Sequence, residues 1–230
     1  MNSSGPETGQ AVDGGGRQRR AWGSLNRDQI VACGLRIARE EGMQALTIRR
    51  LASELGASRM ALYRHVPDKD GLTELVMDAI AEHDMVPPDI EEGPWEERLR
   101  RLAAGIRREL TAYPGLVDIL MTRAHHGQGA LRLVDSVLGI LGDAGLCERQ
   151  AVRHYLVFVD LVLGRCHREL HGDPVDHHRT ASLTTLAEQA GDYARLRAAV
   201  PYLVELTPGQ IFQDELDMLV LSIKAAARPT

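Results

Sequence analysis

Apolar side chains recur along most of this chain at the spacing of an α-helix. Near the beginning, Ile30, Cys33, Ile37 and Ala38 fall on one helical face, and Gly42 is suited to end that helix. The sequence contains no sustained alternation of apolar and polar residues and no Asn-Gly hairpin turn. The pattern therefore predicts an all-α protein.

Two short helices are predicted directly after the first one. Thr47 is positioned to cap the second helix, and Gly56, which is suited to a positive φ, ends it. Ser58 caps a third helix, Pro67 cannot continue it, and Asp68 starts the next. Two short helices joined by a tight glycine-containing turn, behind a longer helix, form a helix-turn-helix.

The rest of the chain reads as longer helices. A fourth helix is predicted over residues 69–85, where "VPPDIEEGP" interrupts the pattern. We divide the chain into a disordered tail (1–23), a helix-turn-helix domain (24–70), the fourth helix as a connector, and a larger helical domain (71–230). Amphipathic stretches predict the helices of the larger domain near residues 95–112, 115–124, 128–144, 148–171, 183–199 and 209–227.

The charge is unevenly distributed along the chain. The whole sequence carries a formal charge of −5, but residues 17–69 hold eleven Lys or Arg against five acids. That segment is therefore about +6 and the remainder about −11. A basic segment on an acidic body suggests that one end meets a polyanion. Scattered charges on solvated helices are the alternative explanation.

Cysteine usage and hydropathy indicate the compartment. Cys33, Cys147 and Cys166 are odd in number and far apart, which argues against a disulfide framework or a zinc ribbon. No apolar run approaches the ~18 residues of a membrane span, and the N-terminus does not read as a signal peptide. We expect a cytoplasmic protein with no membrane association.

The third helix carries the side chains that are suited to reading DNA. Leu62 and Val66 point inward, so the other face of this helix is free to enter a major groove. Arginine fits guanine O6 and N7, and methionine can lie against a thymine methyl group. The residues left on this face are Arg59, Met60, Tyr63 and Arg64.

The stretch "LTIRRLASELGASRMALYRHVPDKDGL" resembles the tetracycline-repressor (TetR) family of transcription factors. The resemblance covers residues 25–80 strongly and continues weakly through "PWEERLRRLA", closest to the tetracycline-repressor branch itself. It implies base contacts from the second helix and the start of the third, and phosphate contacts from the end of the third and the start of the fourth. The positions that match are Arg49, Arg59, Met60, Ala61, Tyr63, Arg64, His65 and Lys69. A structural hydrogen bond at His65 and packing of Tyr63 against the first helix remain alternatives.

The resemblance also implies a helical ligand-binding and dimerisation domain after the helix-turn-helix DNA-binding domain. The two most apolar long helices are "RQAVRHYLVFVDLVLGRCHREL" and "GQIFQDELDMLVLSIKAAA". They carry more apolar surface than the core of one small helical domain needs. We therefore expect them to form a four-helix homodimer interface, with Val220 and Leu221 as candidate positions. An internal core is the alternative.

The expected ligand is a small, mostly apolar molecule. Where the tetracycline-binding branch has polar and metal-chelating pocket residues, this chain has Met85, Leu102, Ile106 and Leu120, which disfavours a magnesium-chelated drug. An apolar effector that a few polar groups orient fits these positions better. The candidate lining residues are Met85, Leu102, Ile106, Leu120, Met121, Arg123, Tyr155 and Val159, although plain core is the alternative for each.

Histidines raise the question of a metal site. His167 and His171 share a helical face, but Arg168 stands where a zincin helix needs a glutamate. The pairs at 125–126 and 177–178 are expected in loops. Solvated or helix-ending histidines are the simpler explanation. We therefore predict no metal and no cofactor, and metal binding by these histidines is the alternative.

Signatures of enzymes are missing from the sequence: no Ser/His/Asp signature, P-loop or GxGxxG is present. We expect a homodimeric, ligand-responsive transcriptional repressor that a small apolar effector releases from a palindromic DNA operator. The alternative is an all-α small-molecule-binding protein or enzyme with an incidental helix-turn-helix.

Overall fold

The structure is a computed structural model of the 230-residue chain. It describes residues 25–123, 127–171, 181–182, 184–186, 193–203 and 205–227. The predicted disordered tail, residues 1–23, lies outside this part of the chain.

All regular secondary structure in the described residues is helical, and no strand occurs among them. This confirms the predicted all-α class. A 3₁₀ turn spans Met43–Ala45 and a π-helical turn spans Ala81–Met85. The α-helices are α1 Arg27–Glu41, α2 Ile48–Leu55, α3 Arg59–Tyr63, α4 Lys69–Ile80, α5 Trp95–Ala112, α6 Leu116–Thr122, α7 Gln128–Asp143, α8 Glu148–His171, α9 Ala194–Leu203 and α10 Pro208–Ala227.

Local sequence sets the ends of the first four helices. Asn26, Thr47, Ser58 and Asp68 are their N-caps, and each side chain accepts a hydrogen bond from the backbone N–H three residues later. Gly56 ends α2 in the left-handed region, at φ +62°, where a Cβ would be strained. The predicted helix-turn-helix is therefore present, with its short helices at the predicted places.

Helices α1 to α4 share one apolar core. Ile30 and Ile37 of α1, Leu51 of α2, Leu62 of α3 and Leu72 of α4 are all completely buried. Helix α1 packs against both α2 and α4, and α2 packs against α3. This core fixes α3 so that only its apolar face turns inward.

The fourth helix differs from its prediction. It is an α-helix only as far as Ile80, and the chain then forms the π-helical turn Ala81–Met85 instead of continuing regularly to residue 85. The beginning of α7 packs closely against this place, where Gly129 N donates a hydrogen bond of 2.5 Å to Asp78 Oδ1. Single π-turns inside helices occur frequently at functional sites.

Helix α5 is the central helix of the larger domain, and it packs against α7, α8 and the π-helical turn. Its one buried cation, Arg98, donates hydrogen bonds to Ile90 O at 2.7 Å, Asp143 at 2.6 Å and Glu91 at 2.9 Å. A buried guanidinium needs such partners to offset its lost hydration. Arg98 thereby ties the chain before α5 and the end of α7 to this helix.

The helix predicted at 183–199 falls partly outside the described residues. Residues 181–182 and 184–186 are helical, and α9 begins at Ala194 and extends past Pro201 to Leu203. The other predicted helices of the larger domain agree with α5, α6, α7, α8 and α10 to within about two residues at each end.

Gly129→Ala is expected to destabilise the protein. A Cβ at this position would stand 2.9 Å from Glu82 N and closer still to Asp78 O, so α7 must move away from α4. Forcing an extra methyl group into such a contact costs about 1–3 kcal/mol. The measurement is the free energy of unfolding from urea titration.

Gly139→Ala is the matched control, because an added methyl group there meets no described atom within 4 Å and the helix gains up to about 1 kcal/mol. Equal effects of the two substitutions would contradict the close approach.

Candidate DNA-binding surface and ligand cavity

The residues predicted to contact DNA lie on α2, on α3 with the turn after it, and at the first position of α4. Met60 exposes 74% of its surface and Tyr63 exposes 48%, which disfavours a core role for either side chain. Ala61 is half-buried on α3. The other predicted contacts are all exposed: Arg49, Arg59, Arg64, His65 and Lys69.

Part of the basic segment is neutralised within the protein. Arg50 Nη2 lies 2.6 Å from Glu41 Oε1, its Nη1 lies 2.5 Å from Glu54 Oε2, and Arg36 also pairs with Glu54. Hydrogen bonds from Arg50 and then Arg36 hold the pKa of the Glu54 carboxyl below its ordinary value, so it remains charged at neutral pH. These cations therefore stabilise the packing of α1 on α2.

Four other cations of the DNA-binding head, which we define as α1 to α4, are not neutralised within the protein. In the part of the chain that the structure describes, no ion pair involves Arg49, Arg59, Arg64 or Lys69. Nor does any described group make a side-chain hydrogen bond with His65. Apart from Arg27 at the start of α1, which also makes no ion pair among the described residues, the unpaired cations of this domain lie on α2, on α3 with the turn after it, and at the first position of α4.

A cavity of about 380 Å³ lies between α4 with its π-helical turn, α5, α6, α7 and α8. Its size is within the range of ligand pockets, about 300–1,000 Å³. Arg123 and Tyr155 are the two polar side chains of the wall, and the rest of it is apolar. The wall consists of Met77, Ala81, Met85, Ile106, Leu116, Leu120, Arg123, Ala130, Leu131, Leu133, Val134, Val137, Tyr155, Phe158, Val159, Val162 and Leu163.

The structure does not place two of the eight candidate lining residues in this wall. Leu102 is completely buried in the core of α5, and the cavity begins one turn later, at Ile106. Met121 follows Leu120 by about 100° around α6 and so points outward, with 51% of its surface exposed. The cavity brings together the remaining six: Met85, Ile106, Leu120, Arg123, Tyr155 and Val159.

Sequence reasoning missed the contribution of α7. This helix supplies five wall residues, and none was among the candidates. An apolar row that faces a cavity has the same helical periodicity as one that faces a core, so the sequence carried no signal that separates them. The wall residues of α7 are Ala130, Leu131, Leu133, Val134 and Val137.

The polar groups of the wall have distinct roles. Arg123 Nη1 donates a hydrogen bond of 3.0 Å to Asp70 Oδ1 in the first turn of α4, so one side chain reaches from the cavity to the head. Burial raises the pKa of the Tyr155 phenol, which keeps it neutral and able to donate a hydrogen bond. Two hydrogen-bond donors in an otherwise apolar wall are the usual composition of a small-molecule site.

Helices α8 and α10 pack on each other and leave an apolar face outside. Leu156 and Val157 of α8 and Met218 and Leu221 of α10 each expose more than half of their surface. A groove of about 300 Å³ between the two helices is lined partly by Val157 and Met218. Val220 is buried and faces the core, so only Leu221 of the two candidate interface positions lies on this face.

The six histidines considered as metal ligands fall into two groups. His167 and His171 of α8 meet Asp118 of α6 outside the cavity wall, and the donor atoms of these three residues could hold a metal ion. The pairs at 125–126 and 177–178 lie outside the described residues. Among the helices that the structure describes, none is long and apolar enough to span a membrane.

Comparison with known proteins agrees with both parts of this arrangement. Residues 30–76 match the family described as bacterial regulatory proteins, tetR family, and residues 87–221 match the family described as tetracyclin repressor-like, C-terminal domain. The second match alone covers more than half of the chain.

Individual relatives are similar over much of the chain. The HTH-type transcriptional repressor DrrR1 of Streptomyces coeruleorubidus is 29% identical over 180 residues, 78% of this chain and 63% of that protein. The class A tetracycline repressor protein from transposon 1721 of Escherichia coli is 27% identical over 197 residues, 85% of this chain and 89% of that protein. The match covers only 56–63% of the length of DrrR1 and of two other HTH-type transcriptional regulators.

A solved structure shows the same fold. The Streptomyces coelicolor TetR family protein ActR, in complex with (S)-DNPA, superposes with a TM-score of 0.75 at 25% identity, over 89% of this chain and 99% of ActR. The resemblance inferred from the residues of the helix-turn-helix is therefore confirmed. The chain belongs to the tetR family of bacterial regulatory proteins.

Proposed function

We propose that this protein is a homodimeric transcriptional repressor that a small, mostly apolar effector releases from a pseudo-palindromic operator. The observation that carries the proposal is the position of α4. Leu72 and Val76 of this helix are buried in the core of the head, while Met77 and the following Ala81 line the cavity. A molecule that fills the cavity therefore contacts the helix on which the DNA-binding head is packed.

The surface of the head supports operator binding. Exposed Arg59 and Met60 stand at the beginning of α3, and Arg49 and Lys69 flank this helix. Arginine supplies bidentate contacts to guanine, and lysine supplies contacts to phosphate. An operator lies in the bacterial cytoplasm, which is where we expect the protein to act.

The wall of the cavity supports an apolar effector. The two polar side chains, Arg123 and Tyr155, can orient a carbonyl, hydroxyl or carboxyl group on an otherwise apolar molecule. ActR, a protein of the same family, has been solved with (S)-DNPA bound. The apolar residues Met85, Ile106 and Leu120 in the wall disfavour a chelated metal within it.

The outer face of α8 and α10 supports a dimer. Its exposed leucine, valine and methionine side chains form the kind of apolar patch that marks an interaction surface. A two-fold dimer places two copies of α3 on half-sites about one turn of DNA apart. The alternative, an all-α enzyme or binder with an incidental helix-turn-helix, requires neither a dimer nor a specific operator, and the tetR family is one of regulators rather than enzymes.

Arg59→Ala and Lys69→Ala are expected to affect DNA binding in different ways. Loss of Arg59 costs about 1–3 kcal/mol on the specific site and relaxes the preference at one base pair. Loss of Lys69 weakens binding to all sequences about equally and lowers the salt dependence by roughly one unit of slope. The measurement is fluorescence anisotropy with the operator and its single-base variants at several salt concentrations. Identical discrimination profiles of the two variants would show that the orientation of α3 is wrong.

Leu221→Glu is expected to give a monomer that binds the operator poorly. The exposed Leu221 side chain lies on the α8–α10 face, and two charges at a two-fold interface repel each other while the paired apolar surface is lost. One half-site then lacks the contribution of the second head. Sedimentation velocity measures the oligomeric state. Leu206→Glu, an exposed leucine in the turn before α10, is the control that remains dimeric. A monomeric wild-type protein at micromolar concentration would contradict the dimer.

Val134→Trp is expected to abolish the response to the effector while DNA binding stays nearly intact. Val134 belongs to the wall, so an indole ring there occupies the cavity. The measurement is a gel shift with the DNA directly upstream of the protein's own gene, titrated with organic extract of the host cells. We expect wild type to bind this DNA and the extract to release it.

Asp135→Trp is the matched control, because this neighbouring side chain is exposed and lies outside the wall. This control should be released like wild type. Release of Val134→Trp at the same amount of extract would place the effector site elsewhere, and failure of wild type to bind the upstream DNA would count against the repressor itself.

A further inference from the structure

Two histidines in the last turns of α8 and one aspartate of α6 lie close together. Asp118 Oδ1 lies 3.2 Å from His167 Nδ1 and 2.5 Å from His171 Nε2, and the three donor atoms all lie within 4.8 Å of one another. The side chains are about 40–50% exposed, so a bound ion could keep water molecules in its remaining positions. Neither histidine lines the cavity or the α8–α10 groove.

The hydrogen bonds within this cluster are incomplete. His171 Nε2 forms one with Asp118 Oδ1. His167 Nδ1 approaches the same oxygen but has no hydrogen-bond partner among the described residues, although the atom itself is shielded from solvent. Because buried polar atoms rarely lack a partner, the His167 nitrogen is free to take a further ligand beside the shared carboxylate.

We propose that Asp118, His167 and His171 bind a single divalent transition-metal ion, for which Zn²⁺ has the best-matched chemistry. Two imidazoles and one carboxylate, with water in the remaining position, form a set of zinc ligands with an open site. Magnesium prefers oxygen ligands in an octahedron, so the two nitrogen donors disfavour it. At bond lengths of about 2.0–2.2 Å, tetrahedral ligand atoms stand roughly 3.3–3.5 Å apart. Asp118 Oδ1 and His171 Nε2, now 2.5 Å apart, therefore separate to admit the ion, while the Asp118–His167 distance of 3.2 Å already fits.

The proposed ion lies outside the effector cavity, but its ligands come from α6 and α8, two of the helices that form the cavity wall. Leu116 and Leu120 of α6 face the cavity, whereas Asp118, about 200° around the helix from each of them, faces away. On α8, His167 and His171 continue at four-residue spacing the row that begins with cavity residues. The ion would therefore join α6 to α8 directly behind the cavity wall and hold α6 in place.

The test is a titration of the full-length, tag-free protein with ZnCl₂ by isothermal titration calorimetry, in a buffer that does not bind zinc. We expect one saturable site per chain that Asp118→Asn and His171→Gln each weaken by at least about tenfold, the range in which even indirect supports of a metal ligand act. The matched controls are Asp135→Asn and His154→Gln. Asp135 is exposed on α7, and the ring of His154 bonds Gln150 and Ser222 at a distant part of α8.

Thermal unfolding provides a second readout that does not depend on DNA or on an effector. Saturating Zn²⁺ should raise the Tm of wild type and of both controls, because a ligand that binds only the folded state stabilises it, and it should leave the Tm of Asp118→Asn nearly unchanged. Equal zinc affinity in Asp118→Asn, His171→Gln and wild type would overturn the proposal, since the ion would then be bound elsewhere, for example at the exposed Cys147. Absence of a saturable site in wild type would overturn it as well.

Discussion

Helix α4 is buried on two sides at once, and the rest of the structure depends on this shared position. Toward the head it contributes Leu72 and Val76 to the core that fixes α1, α2 and α3. Toward the body, the π-helical turn packs against α5 and α7, and Met77, Ala81 and Met85 line the cavity. In the proposed repressor, a rearrangement of the body at this helix is expected to displace the head, because close-packed interiors transmit strain.

The sequence predicts the head well because local interactions determine it. Each N-cap bonds a backbone group only three residues away, and Gly56 ends α2 by its own conformational freedom. The end of α4 was predicted less well for the opposite reason. The π-helical turn coincides with a contact between Asp78 and Gly129, which are separated by fifty-one residues, and no local pattern records that contact.

The candidate sites differ in the same way: the DNA-binding residues follow from local sequence, whereas the cavity and the histidine cluster depend on contacts between distant parts of the chain. Exposed residues of α3 follow from helical periodicity once Leu62 and Val66 are assigned inward, and the resemblance adds Arg49 and Lys69. Cavity residues could be predicted only in part, since Leu102 and Ile106 lie on one face of α5 and only the second reaches the cavity. In the same way the four-residue spacing of two histidines was visible, but their aspartate comes from another helix about fifty residues away.

Magnitudes decide which contact can carry a signal from the cavity to the head. The direct link is the ion pair between Arg123 and Asp70, whose side chains are 57% and 66% exposed. Such a pair contributes about 0–1 kcal/mol, and salt screens it further.

Coupling between an effector and an operator is typically 1–3 kcal/mol, and it must come from a difference in effector affinity between two arrangements of the protein. Burying a single Leu-sized side chain supplies about 1.5–3 kcal/mol. In the proposed repressor, therefore, the packing of apolar side chains along α4 carries most of the coupling, and the ion pair serves mainly to orient Arg123 at the edge of the cavity.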